Sequence, residues 1–150
     1  MAIRLSFGEI LKVIVERGRG RDVSVKRMYI LPPGGSEKVT ITPSSDTNSR
    51  IIPVFFDLDT DPDMSTHVKI INDDIVLFDL IHLNSKDKIN FYTDYGKLIV
   101  TEHNLEIELK SLEPVEEVVA VVDFYGIETT KDYVDKIRLF YDRVLSEAGL

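Results

Sequence analysis

From residue 23 to residue 125 the chain repeats one pattern: a short run rich in β-branched and aromatic side chains, then a brief polar separator. VSVKRMYIL alternates and stops at PPGG, where Pro33 presets φ and glycine accepts a positive φ, so a tight turn is expected. EKVTITP sends Val39 and Ile41 to one face and Thr40 and Thr42 to the other. SSDTNSR is a polar loop. IIPVFFDL is strand-like, but Pro53 cannot donate to a ladder and belongs at an edge or a bulge. HVKIIN, IVLFDLIHL, INFYT, KLIVTE, LEIELK and EEVVAVVDFY complete the set, separated by NDD, NSKDK, TDYG, HN and SLEP. Eight or nine strands with connections this short make an antiparallel sandwich or barrel and leave no room for βαβ units. The fold expected is an antiparallel β-sandwich over residues 23–128, of immunoglobulin-like or jelly-roll type. IVLFDLIHL and VVAVV are apolar on both faces, which predicts central strands covered on each side.

Two flanking segments differ in period. Ser6 and Glu9 form a capping-box pair ahead of Ile10, Leu11 and Ile14, and ERGRGRD then breaks regular structure. Residues 1–22 are therefore expected to form a short helix or a basic arm. At the other end, Thr130 can cap a helix, Asp132 and Asp135 suit its positive pole, and Gly149 ends it. Val134, Ile137, Tyr141, Val144 and Ala148 recur at helical spacing, flanked by Tyr133, Phe140 and Leu145. This predicts a helix over residues 129–150 whose stripe packs on the sandwich or on a neighbouring subunit.

Composition excludes several classes. A chain of 150 residues can bury a core as one domain, and with no cysteine it has no disulfide, thiolate metal site or cysteine nucleophile. No apolar run approaches the ~18–20 residues that span a bilayer, and Glu9, Lys12 and Glu16 interrupt what would be a signal sequence. The expected setting is the cytoplasm, or a particle assembled there. Net charge is −8, but residues 1–30 carry seven basic against three acidic side chains, a surplus of +4 that leaves −12 for the rest. Opposite-signed parts can attract copies of the same chain, whereas an acidic surface repels nucleic acid. Arg17, Arg19 and Arg21 are the candidate partner contacts in that segment, with Ile137, Phe140, Tyr141 and Val144 on the terminal helix.

The stretch VFFDLDTDPDMS places Asp57, Asp59, Asp61 and Asp63 at alternate positions. FFDLD resembles the strand-then-DxD motif of the haloacid dehalogenase phosphatases over five residues only. Thr60 and Asp61 then depart from that family's pattern, and no crossover helix follows for its doubly wound fold. An EF-hand loop fails as well: counted from Asp57, Pro62 and Val68 stand where glycine and glutamate are needed. The stretch reads as a solvated turn, with a looser calcium site as the alternative. His67, His82 and His103 are isolated, and Ser44, Ser45 and Ser49 lack a nucleophile-elbow context. RGRGR has no interleaved aromatic, so it does not read as a nucleic-acid grip.

No catalytic set, cofactor motif or targeting segment emerges. The expected function is non-enzymatic: a self-associating sandwich subunit, a homo-oligomer or part of a larger assembly such as a capsid, decoration or tail component, with neither nucleic acid nor membrane as its partner. The alternative is a ligand-binding sandwich of carbohydrate-binding type with a structural calcium, in which Tyr92, Tyr95, Tyr125 and Tyr133 would offer stacking surfaces.

Overall fold

A computed structural model describes residues 16–18, 20–44, 47–82, 86–91 and 97–147. The expected N-terminal helix, the segment before Glu16, lies outside the described residues. The described residues form eight strands: β1 (Gly20–Leu31), β2 (Ser36–Ile41), β3 (Ser49–Thr60), β4 (Thr66–Asn72), β5 (Ile75–His82), β6 (Lys86–Asn90), β7 (Leu105–Ser111) and β8 (Val118–Thr130). A helix, α1 (Lys131–Glu147), follows β8 without a linker. The strands form two four-stranded antiparallel sheets, β1-β8-β3-β6 and β2-β7-β4-β5. The pairs β4–β5, β3–β6, β2–β7 and β1–β8 are nested like one long hairpin, and successive pairs fall into alternate sheets. A hairpin rolled up in this way is a jelly roll. Of the two topologies expected, this is the one adopted.

The turns follow from their residues. Pro32–Gly35 closes with Gly35 N–H donating to Pro32 O at 2.7 Å; Pro33 at the second position and Gly34 at φ 69° make a type II turn. Asp73 and Asp74, at φ 47° and 67°, join β4 to β5 as a two-residue type I′ turn, whose twist matches that of the flanking strands. Pro53 sits at a register shift between Pro53 and Phe55 opposite β8, where the missing N–H does no damage. Gly126 faces that bulge, and a Cβ there would lie 3.0 Å from Ile52 O, a contact tight enough that the β3 backbone would have to shift slightly to admit a side chain.

Alternation along the strands fills the space between the sheets. Leu31, Ile51, Phe56, Leu58, Val68, Ile70, Leu105, Ile107, Ala120, Val122 and Phe124 are all at most 1% exposed and belong to one cluster. A second cluster gathers Ile52 and Ile127 with Leu98 and with Val134 and Ile137 of α1. Because Ile51 belongs to the first and Ile52 to the second, β3 is covered on both faces at this point. The helix thus docks on its own sandwich through Val134 and Ile137, and Thr130 Oγ1 accepts the Tyr133 N–H at its start.

Three expectations are corrected here. KLIVTE is not a regular strand: one bridge, Thr101 to Ile51, anchors it, and its apolar residues are apolar because Leu98 and Val100 pack beneath the helix. IVLFDLIHL is not central. It is β5, the edge of its sheet, paired with β4 alone among the described residues. The aspartate stretch is not wholly a turn, since β3 continues to Thr60 and takes Asp57 and Asp59 with it.

Candidate functional surface

The outer faces of the two sheets differ in how their charges are arranged. Cross-strand register sets Lys38, Glu108, Lys69 and Asp79 in one row across the β2-β7-β4-β5 sheet, so charge alternates from edge to edge. Lys38 Nζ also reaches Glu106 at 3.1 Å, and His67 Nε2 is in contact with Asp79 Oδ1. This face holds an open groove of about 530 Å³ floored by Lys38, His67, Glu108 and Lys110. Its charges alternate in sign, and two pairs of them are in direct contact.

On the opposite sheet the corresponding row is Lys26, Asp123, Asp57 and Lys88, with two carboxylates side by side at its centre. Lys88 does not neutralise Asp57; its ammonium lies 5.2 Å from the centroid of the Phe55 ring, which in turn stacks on Tyr125 at 5.8 Å. Asp57 Oδ1 is buried and has no hydrogen-bond donor among the described residues. Tyr125 Oη donates to Asp22, and burial together with that carboxylate pushes the phenol up to about 12.

The four aspartates do not converge. Asp57 and Asp59 lie on the outer face of β3, opposite Lys88 and Lys86 in the register. Asp61 turns back to accept the Val119 N–H at 3.0 Å, and Asp63 takes φ 65° as the third residue of a turn closed by Met64 N–H to Asp61 O. Among the described residues no group of three or more histidines and carboxylates is gathered in a way that could hold a metal ion.

The candidate partner contacts are scattered. Arg17 is exposed and Arg19 lies outside the described residues. Arg21 is 66% exposed, yet its guanidinium binds Glu128 of its own chain at 3.0 Å. Glu128 is 7% exposed and also accepts from Ser44 Oγ at 2.7 Å and Ser44 N–H at 3.2 Å. Burial pushes that carboxyl up, but the Ser44 and Arg21 donors outweigh it and hold it below the usual glutamate value. Ile137 is buried in the second cluster. The side chains of Phe140, Tyr141 and Val144, and residues Tyr92 and Tyr95, lie outside the described residues.

One carboxylate overlooked in the sequence organises a whole segment. Asp73 accepts three backbone N–H groups, from Glu102 at 2.8 Å, His103 at 2.7 Å and Asn104 at 3.0 Å, and its own N–H donates to Asn104 O at 2.9 Å. Next to it, Asn72 Nδ2 donates to Val100 O and Thr101 Oγ1 donates to Asn72 Oδ1. The NDD turn thereby clips residues 100–104 to the end of the sandwich. The consecutive aspartates of NDD signalled a turn, but nothing in them named the segment they would hold.

The surface that stands out is β5. Ile75, Val76, Leu80 and Ile81 are 65%, 50%, 56% and 56% exposed, all on one edge strand. Met28 and Ile30 of β1, 67% and 58% exposed, are a smaller apolar feature on the opposite edge of the other sheet.

No family model matches the sequence, and no curated protein matches it either. Among solved structures the chain is similar to a de novo designed double-stranded β-helix, with 12% identity, a TM-score of 0.33, and 70% of this chain and 97% of that one covered. It is also similar to a chain in the structure of the infectious bursal disease virus Gx strain, with 11% identity and a TM-score of 0.38 over 73% of this chain and 32% of that one. A third similar structure is the family 32 CBM from C. perfringens NanJ in complex with galactose, with 10% identity, a TM-score of 0.33, and 73% and 95% covered.

Proposed function

We propose that this jelly roll is a non-catalytic structural subunit that works by joining other protein subunits, in a supramolecular particle of the capsid, decoration or tail kind. The observation that carries the reading is the unguarded β5 edge: four large apolar side chains exposed on an eight-residue strand that has a partner on one side only among the described residues. An edge of this kind is a template for pairing, and folds that act as monomers blunt such edges with charge, proline or a covering element. The polar groups that could suggest chemistry are occupied instead with structure: Ser44 with Glu128, His67 with Asp79, and Asp73 with a loop.

The test is mass in solution, by light scattering and sedimentation, across protein concentration and ionic strength. Association driven by β5 persists at high salt, because apolar burial is not screened, whereas association through the basic segment would weaken. A protein that remains strictly monomeric at the highest concentration overturns the reading. A monomer that also binds glycan or calcium in titration would establish the ligand-binding alternative in its place.

A further inference from the structure

We infer that the occupant of the β5 edge is a second copy of this chain, placed about a two-fold axis through Leu80, so that the two β5 strands pair antiparallel and fuse two four-stranded sheets into one. The inference rests on the assembly reading above and adds to it the partner, the symmetry and the register.

The other edges of the sandwich carry more charge than β5, including that of β1, where Met28 and Ile30 are also exposed. β6 reads KDKIN, β2 reads SEKVTI, and β1 carries Arg21, Asp22, Lys26 and Arg27. β5, reading IVLFDLIH, has one acidic residue, Asp79, and neither lysine, proline nor glycine. Charged edges resist a new strand and apolar ones accept it, so the surface of this chain that best complements β5 is β5 itself. A patch that complements itself gives an isologous, two-fold interface.

Charge and regularity then select the register. An axis through Asp79 would set two carboxylates directly opposite each other, which destabilises a cross-strand pair. The register shift between Ile70 and Ile71 disturbs the strand around Leu77, so the regular stretch runs from Phe78 to His82 and is centred on Leu80. An axis there sets Leu80 against its copy and Asp79 against Ile81 of the other protomer. Each carboxylate moves to a diagonal position and keeps its own His67 and Lys69 beside it. Leu80 and Ile81, both more than half exposed, then lie at the seam, and Ile75 and Val76 continue the apolar edge beyond the regular stretch.

The chain has no cysteine, so a single introduced thiol reports on its own symmetry mate. At the axis of an antiparallel pair the two Cα atoms lie about 4.5–5.5 Å apart, within disulfide range. Leu80→Cys is expected to form a covalent dimer on mild oxidation, while Leu139→Cys, at an exposed helix position, stays monomeric under the same conditions. Leu80→Lys, which opposes two ammonium groups at the axis, is expected to reduce the dimer to monomer mass with its circular dichroism and melting profile retained. An oligomer that ignores Leu80→Lys and yields no cross-link from Leu80→Cys overturns the inference and leaves the assembly reading standing. An oligomer ladder from Lys38→Cys/Asp79→Cys, with no dimer from Leu80→Cys, would show a head-to-tail junction of β5 with β2 and overturn the two-fold. A strictly monomeric natural chain overturns both readings.

Discussion

Replacing Asp73 with alanine removes the clip that holds residues 102–104, and the structure sets the size of the effect. Three backbone N–H groups lose a charged acceptor. Bonds to a charged partner are worth about 1.5–3 kcal/mol each in isolation, but these three share one carboxylate, and those from Glu102 and His103 are at the exposed end of the sandwich, where water can replace the acceptor. The expected loss is therefore roughly 2–3 kcal/mol rather than the full sum. For a domain of this size that is a fall in melting temperature of roughly 5–10 °C. Asp73 also stands at φ 47°, where an L-residue is strained by about 1–2 kcal/mol, so Asp73→Gly should be the milder variant by about 1 kcal/mol although it loses the same carboxylate. Urea unfolding of the two variants separates the hydrogen-bonding part from the conformational part. Hydrogen exchange locates it: the amides of Glu102, His103 and Asn104 should exchange faster while those of β7 and β8 stay protected. An alanine variant within about 0.5 kcal/mol of the natural protein, with those three amides unchanged, would refute the clip.

Three further outcomes are expected. Glu128 has its folded pKa held below the unfolded value, so its contribution is complete above the unfolded pKa and is lost as pH falls through the folded one. Glu128→Gln should cost about 1–2 kcal/mol near neutrality, with the gap to the natural protein closing in acid, as followed by urea midpoints from pH 7 to pH 3. Ile137→Ala should cost about 2–4 kcal/mol in denaturant unfolding, because Ile137 is 4% exposed and packed in one cluster with Ile52, Leu98, Ile127 and Val134; a cost below 1 kcal/mol would mean the helix is not held there. Asp57→Asn should stabilise by about 0.5–1 kcal/mol, since it removes one of two facing carboxylates and offers donors to Asp123; destabilisation, or a calcium-dependent melting temperature in the natural chain, would show that a cation holds this pair.

Much of the fold could be read from period and punctuation. PPGG, NDD and Pro53 mark two turns and a bulge because proline fixes φ and lacks an N–H, whereas glycine and, less readily, aspartate accept the positive φ such turns need. Thr130 and the apolar stripe after it mark α1, the one by capping the first turn and the other by its helical period. What the sequence does not carry is cover. IVLFDLIHL has the composition of a strand buried on both faces, and a run of that kind fits a central strand as well as an edge that awaits a partner. KLIVTE is apolar because a helix lies over it, and cover alone produces the same composition as a ladder. The aspartates mislead in another way: Asp57 and Asp59 keep the period of two that defines a strand, and their charge suggested a turn. The Arg21–Glu128–Ser44 cluster was illegible, since the β1–β8 register sets Arg21 opposite Glu128 and only the folded chain brings Ser44, beyond β2, to the same carboxylate.

The nesting of strand pairs also sets the order in which the molecule can be built. The β4–β5 hairpin closes on a two-residue turn and can form as soon as it is synthesised, whereas Gly20 meets Thr129 from the far end of the chain. Contacts of such long sequence separation close slowly, in the millisecond-to-second range typical of all-β folds. β8 is the last of the eight described strands in chain order, yet it lies inside its sheet, between β1 and β3. Until it emerges from the ribosome those two strands have no common neighbour, and each presents the side that β8 will occupy. Completing this sheet is thus an insertion of β8 between two waiting strands, so that a chain cut short before β8 loses the middle of a sheet and not its margin.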